Sequence, residues 1–493
     1  MTALWHRRSR PGHEAAAPVE GHYDVAVVGG GLTGLTTALL LARTGRRVVI
    51  LEAREIGAGT TGSSSAKLSL LQGTRLSAIA ARQGPDLVRR YVEGNRAALD
   101  WLLSESAALG VPVQRRAAVT YAARADQVSA ARAEYDAAQA AGLPVQWRTD
   151  LPVPFPAEAG VWLDDQAQVD PMDLLEALAD EATRLGVRIY TRARVRDAHG
   201  AEDTVVTTRG TVRADRVVLA TGIPISDRGT FFARLEPHRS YVLALRTAAA
   251  DLDMYLSAGA PARSLRDAPW QGEQVVLVGG NSHVVGRTES ERAQVHNLLA
   301  WSRRWFPDAE VVARWSAQDY HPVDELPYVG PLLPGSERVL VATGYAKWGM
   351  TNAVAAAHVL TGLLDHAPPD WAQAYRSWPE HPTRGLGAGV RLNAGVAGTM
   401  ARDYARSAVS RPGPPSRPPA EGAGCVLREG LRPVGSATVD GHTERVVAVC
   451  PHLGGVLRWN DEERSWDCPL HGSRFTAGGD LLEGPATRGL SRP

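Results

Sequence analysis

The stretch that most constrains this chain lies near its C-terminus: VCPHLGGVLRWNDEERSWDCPLHGSRF, Val449 to Phe475. It carries a Cys-x-His pair, Cys450 and His452, and after fifteen intervening residues a Cys-x-x-His pair, Cys468 and His471. Two thiolates and two imidazoles are the donor set in which two His replace two Cys on one iron of a [2Fe–2S] cluster. One Cys and one His from each loop would clamp the cluster. Gly454, Gly455 and Gly472 let the backbone approach the bridging sulfides and donate N–H groups to them. The same four side chains are also a zinc set. Zinc fingers, however, keep their Cys together and their His together on a helix, whereas here the two types alternate.

The pattern resembles the Rieske iron–sulfur family, CxH…CPxHG, and the resemblance extends to the loop Gly484-Pro485-Ala486. It implies Cys450 and Cys468 on the buried iron and His452 and His471 on the outer one. Many members carry a further Cys in each loop, joined as a disulfide. Those positions here are Gly455 and Leu470, so that bridge is impossible. Where high-potential members have a Tyr donating to a ligand sulfur, this chain has Phe475, while Ser473 keeps the other donor position. Fewer hydrogen bonds to sulfur stabilise the reduced cluster less.

Composition sets the frame. A chain of 493 residues is long enough for two to four domains. A hydrophobic fraction of 44% with 22% charged residues is ordinary for a globular protein, and a net charge of +1 points to neither a nucleic-acid nor a membrane-surface partner. Three Cys, two of them in the cluster motif, indicate a reducing compartment, and Cys425 reads as an ordinary thiol. No apolar run reaches the roughly 18–20 residues of a membrane span. The first residues contain Arg7 and Arg8 but no apolar core after them, so they read as no export signal. The expectation is a cytoplasmic protein with a disordered head over residues 1–22.

At the other end of the chain, Tyr23 to Val28 reads as a strand, followed by GGGLTG at Gly29 to Gly34. An apolar helical face follows (Leu35, Leu39, Ala42), and then the strand VVILE, ending at Glu52. Strand, G-x-G-x-x-G turn, helix, strand and terminal acid form a dinucleotide-binding unit. Its glycines let pyrophosphate approach the helix N-terminus, and Glu52 would accept from ribose hydroxyls.

The next segment, GAGTTGSSSAKLSLLQG (Gly57 to Gly73), resembles the flavin loop of the D-amino-acid oxidase/sarcosine oxidase-like FAD-dependent oxidoreductases, specifically those with an appended Rieske domain. The resemblance implies FAD held by Gly29, Gly31, Leu32, Thr33, Gly34, Glu52, Ala53, Arg54, Thr60, Thr61, Ser64, Ser65, Ala66 and Lys67. It adds Val195 at the adenine edge and Thr221 and Gly222 in ADRVVLATG. The last members are Gly344 and a helix N-terminus at Gly349, Met350 and Thr351, aimed at the flavin where negative charge grows on reduction. Lys67, Tyr241, His283 and Lys347 are candidate catalytic residues, although a structural hydrogen bond accounts equally well for each His and Tyr.

The expected architecture is an α/β FAD-binding Rossmann-like domain with an inserted α+β substrate domain, followed by a small all-β Rieske domain. Its boundaries are 23–385 for the flavoprotein (substrate part mainly 85–165 and 235–330), 386–423 for a linker with a short helix around Met400 to Ala408, and 424–493 for the Rieske domain. The implied activity is FAD-dependent oxidation of an amine or amino acid at its C–N bond. Electrons would pass from flavin to cluster and on to a carrier protein or quinone-like acceptor. Two alternatives stand beside it: electrons entering from a reduced carrier through the cluster, or a plain flavin oxidase with a docking module. The lost sulfur donor at Phe475 predicts a midpoint in the lower part of the roughly −150 to +300 mV Rieske range. A spectroscopic redox titration giving a value near the top of that range contradicts this.

Overall fold

The computed structural model describes residues 1–7, 18–198, 203–249, 251–378, 380, 383–409 and 417–493. The main path of its first, eight-stranded sheet runs Tyr328–Pro331, Val339–Thr343, Thr211–Leu219, His22–Val28, Val48–Leu51, Arg188–Tyr190, parallel except at the Tyr328–Pro331 edge, and Thr204–Thr207 and Val195–Asp197 extend it antiparallel. The central residues Val25–Val28, Val48–Leu51 and Val217–Leu219 are continuously apolar and buried because both faces of the sheet are covered there. Helices Leu32–Arg43, Pro171–Arg184 and Gly349–Leu364 bury against one another and the sheet. Gly34 permits the first crossover. A Cβ there would stand 2.0 Å from the Gly29 carbonyl oxygen, so only glycine lets the helix begin so close to the strand.

A second, nine-stranded sheet is mostly antiparallel and is drawn from residues 67–68, 113–169 and 235–322. The long strands Leu235–Arg246, Glu273–Val284 and Glu310–Pro322 lie side by side at one end. Tyr241 on the first of these strands and Gln318 and Asp319 on the last line the space between the two sheets. The C-terminal domain is all β, with a three-stranded sheet (Gly424–Glu429, Arg432–Val439, His442–Val447) and a four-stranded one (Arg458–Asn460, Ser465–Asp467, Arg474–Thr476, Leu481–Glu483). Among the described residues no helix is long and apolar enough to cross a membrane.

Two segments differ from expectation. The head is ordered at residues 1–7: Leu4 and Trp5 are fully buried, and the Trp5 indole donates to the Ser64 carbonyl at 2.8 Å. Burial of one large aromatic offsets the entropy of fixing a single turn. Residues 8–17 of the expected head lie outside the described residues. The segment expected as linker holds the 27-residue helix Thr383–Val409. Its glycines disfavour a helix in isolation. Tertiary contacts decide instead: Val396 and Met400 pack on the C-terminal core, Asp403 pairs with Arg458, and Tyr404 donates to the Gly454 carbonyl. Of the Pro-rich run after it, residues 410–416 lie outside the described residues.

The β domain docks on the long strands through a buried ionic network. Arg239, 4% exposed, donates to both oxygens of Glu463 at 2.5 Å and to Glu483 at 2.9 Å. Arg474 pairs with the same two carboxylates and with Asp467. The two guanidinium groups pull the Glu483 carboxyl down to about 2 despite its burial. Because this folded value lies below the ordinary ~4.3, the stabilisation is complete above that value and is lost as pH falls towards 2. Arg239→Met strands two carboxylates on one remaining arginine. It is predicted to cost about 3–5 kcal/mol in chemical denaturation at pH 7 and to weaken the acid dependence below pH 4. An unchanged denaturation midpoint contradicts this account of the interface.

Candidate functional site

A cavity of about 370 Å³ opens where the two large sheets meet. Its floor is the Gly29–Gly34 turn and the N-terminus of helix Leu32–Arg43, where the helix dipole favours an anion. Glu52 stands at the end of the neighbouring strand. One carboxylate oxygen accepts from the Gly30 amide and the other from the Arg54 amide, both at 2.7 Å, which fixes the group while leaving lone pairs for a ligand hydroxyl. Thr61 Oγ1 accepts from the Leu32 amide, and Thr33 exchanges a hydrogen bond with Tyr345.

Most of the sequence candidates line this one space: Gly29, Gly31, Leu32, Thr33, Glu52, Ala53, Arg54, Thr60, Thr61, Ser64, Ser65, Lys67, Val195, Thr221, Gly222, Gly344, Gly349 and Met350. Gly34, Ala66 and Thr351 stand behind the wall. Gly34 packs on Gly29, the Ala66 carbonyl accepts from Arg266, and Thr351 accepts from Gln72 in the core.

The four catalytic candidates separate by environment. Lys67 lies in the cavity wall, its Nζ donating to the Tyr255 carbonyl and the Ser264 hydroxyl, both at 2.8 Å. These acceptors are neutral, and burial pulls the amine well below the usual lysine range. Lys347 also lines the cavity, in a left-handed conformation (φ 74°) directly after a left-handed Ala346 (φ 47°). Its pKa is lowered by burial, against the opposing pull of Asp319. Two successive non-glycine residues in this region mark a backbone held strained just before the helix that begins at Gly349. Tyr241 faces the cavity with its hydroxyl 3.2 Å from His283 Nε2. His283 Nδ1 lies 3.1 Å from the Val284 carbonyl and can only donate there, which leaves Nε2 to accept the tyrosine proton. His283 itself stands outside the lining.

Sequence reasoning missed part of the wall. Arg194, Gln318, Asp319 and Tyr320 line it, as do Leu482, Glu483, Gly484 and Ala486 of the β domain. The Gly-Pro-Ala loop was visible as a motif; that it closes the cavity of the other domain depends on docking and left no local signal.

The second site lies in the β domain. Each cysteine opens a loop closed by the same pair of hydrogen bonds. Cys450 N donates to Gly455 O and Gly454 N to Cys450 O, while Cys468 N donates to Ser473 O and Gly472 N to Cys468 O. Gly454 and Gly472 have φ of 75° and 77°, which explains glycine at both turns. The loops bring the Cys450 and Cys468 thiols against one another and the His452 and His471 rings to 5.1 Å. Nδ1 of each imidazole is buried without a hydrogen-bond partner.

Two thiols together and two orphaned nitrogens together fit a binuclear cluster with a sulfur-bound and an imidazole-bound iron. Among the described residues no three His, Cys, Asp or Glu side chains gather as a set for a single ion. Gly455 and Leu470, the positions of the missing disulfide, are neighbours: a Cβ on Gly455 would stand 2.7 Å from Leu470 Cδ1. The Ser473 hydroxyl reaches the Cys450 sulfur, and Phe475 is fully buried.

The two sites share a wall. The Gln318 amide, which lines the cavity, donates at 2.8 Å to the carbonyl of Gly472, the residue after His471. Phe232 of the first domain lies edge-on to both imidazoles, with ring centroids 5.4 and 5.1 Å away.

Comparison with known proteins agrees with this geometry. Residues 24–363 match the family described as FAD dependent oxidoreductase, and residues 426–492 match the Rieske [2Fe-2S] domain. The chain is 30% identical over 476 residues to a putative Rieske 2Fe-2S iron-sulfur protein, YhfW, of Bacillus subtilis, covering 95% of this chain and 93% of that one. It is 27% identical over 366 residues to glycine oxidase of Geobacillus kaustophilus, covering 69% of this chain and 91% of that one. The crystal structure of glycine oxidase from Geobacillus kaustophilus superposes with a TM-score of 0.60 at 21% identity, covering 71% of this chain and 96% of the other.

Proposed function

The chain belongs to the FAD-dependent oxidoreductase family and ends in a Rieske [2Fe-2S] domain, and on that premise we propose that it oxidises an amine or amino acid at the C–N bond and passes the electrons through its cluster to an external acceptor. The observation that carries this reading is the shared wall. Gln318 bonds from the flavin cavity to the residue beside His471, and residues 482–486 of the cluster domain close the cavity itself. A domain serving only to dock another protein needs no such penetration.

When bound, FAD supplies a two-electron acceptor and the cluster a one-electron store, so together they divide a two-electron oxidation into single-electron steps. The chain's own residues supply the rest. Gly29, Gly31 and the helix N-terminus at Leu32 would hold the pyrophosphate, and Glu52 the ribose. The N-terminus of helix Gly349–Leu364 stabilises negative charge at the cavity wall. Lys67, whose burial disfavours the charged amine, is placed to exchange a proton with an ammonium substrate at Nζ, and amine oxidation requires the free base. Leu256 and Leu277 give this space an apolar lining, and the β-domain loop narrows it. The acceptor is a one-electron carrier protein or a quinone-like molecule, in the cytoplasm.

The test is anaerobic stopped-flow mixing of the holoenzyme with a panel of amino acids and amines. At least one is expected to bleach the flavin, with a Rieske EPR signal following. Lys67→Met should slow the bleaching by about 10²- to 10⁴-fold. Flavin that resists every substrate yet is reduced through the cluster by a reduced carrier reverses the direction. Unchanged turnover of Cys468→Ser with oxygen and artificial acceptors assigns the domain to docking alone.

A further inference from the structure

The outer face of the cluster is covered from within the chain. The His452 side chain is only 3% exposed, and its Nε2 lies 2.6 Å from Asp227 Oδ1, a contact spanning 225 residues and both domains. Asp227 belongs to the flavoprotein, eight residues past the strand Thr211–Leu219. It opens a tight turn in which the Thr230 amide donates to its carbonyl, with Thr230 left-handed at φ 53°. The short helix Phe231–Arg234 follows at once and delivers Phe232 against both imidazoles. One turn therefore presents a carboxylate and an aromatic ring together to the ligand pair.

The tautomer follows from the donor set. His452 has Nδ1 buried and unpartnered on the cluster side, so a neutral ligand imidazole must carry its proton on Nε2. That proton points at Asp227 and makes a charge-assisted hydrogen bond. The carboxylate itself is 55% exposed, so it is not an internal structural ion whose partner is dictated by burial. A carboxylate on a ligand imidazole makes it a stronger donor to iron, and its negative charge opposes the arrival of an electron. A positive charge, Arg287, is held by its Nε on the Pro469 carbonyl near His471.

We propose that Asp227 is a positioning residue for the cluster: it holds the His452 ring with Nδ1 towards the iron and lowers the reduction potential from across the domain interface. The flavoprotein thereby contributes to the potential of the centre docked on it. The inference rests on His452 being a ligand, which the Rieske-type EPR signal of the wild-type protein and its loss in His452→Ala test separately.

The test is an EPR-monitored titration of the full-length holoenzyme with dithionite as one-electron reductant, comparing wild type with Asp227→Asn, Asp227→Ser, Asp227→Ala and Asp227→Glu. A neutral variant that keeps its cluster is expected to favour the reduced state at least tenfold more than wild type, an upward shift of 59 mV or more for one electron. Asp227→Glu should return most of the way to the wild-type midpoint. If no neutral variant retains iron while Asp227→Glu does, the carboxylate is needed to hold the ring, and the proposal stands. A neutral variant with full iron content and an unmoved midpoint overturns it, and so does loss of iron in Asp227→Glu along with the others.

Discussion

Everything distinctive about this protein depends on one buried ionic contact, Arg239 and Arg474 against Glu463, Glu483 and Asp467. Burying such groups is costly, and a well-packed apolar interface would often be as stable. What the network adds here is a fixed orientation. Arg239 sits on the long strand Leu235–Arg246 beside the flavin cavity, and Glu483 leads directly into the loop that closes it. Fork-shaped guanidinium groups accept their partners in few geometries, so the β domain has one seat. Phe232, Asp227 and Gln318 can then meet the cluster loops, each contact depending on that seat.

What could be read from the chain alone was the chemistry that is contiguous in sequence. The ligand loops around Cys450 and Cys468, and the Gly29–Gly34 turn with Glu52, carry donors, turns and flanking strands within a few dozen residues, so their physics is local. The head and the supposed linker were misjudged for the converse reason. Trp5 is an unremarkable residue until Ser64 and Arg266 surround it. The helix Thr383–Val409 contains five glycines and resembles a spacer until Asp403 and Tyr404 meet the cluster domain. Gln318, which joins the two sites, and Asp227, which meets His452, carry no motif at all. Their roles exist only in the docked arrangement.

On the proposed reading, the arrangement answers a mismatch of electron counts. Oxidation of a C–N bond releases two electrons together, while a [2Fe–2S] cluster carries one. A mobile carrier domain could ferry them in turn, but this β domain is wedged between the long strands, the helix Thr383–Val409 and the cavity mouth. The design favours short, fixed transfer over movement. On the proposed account, the absent sulfur donor at Phe475 and the carboxylate at His452 act in the same direction, both disfavouring the reduced cluster.

The central claim, that flavin and cluster form one electron-transfer unit, is tested most directly without any substrate. The measurement is light-driven reduction of the flavin in anaerobic holoenzyme, followed by freeze-quench EPR. The account predicts that the Rieske signal rises as an intramolecular process, at a rate independent of protein concentration. It also predicts that Arg239→Met, which unseats the domain, slows this rise. A cluster that stays oxidised beside reduced flavin, or is reduced only in proportion to protein concentration, contradicts it.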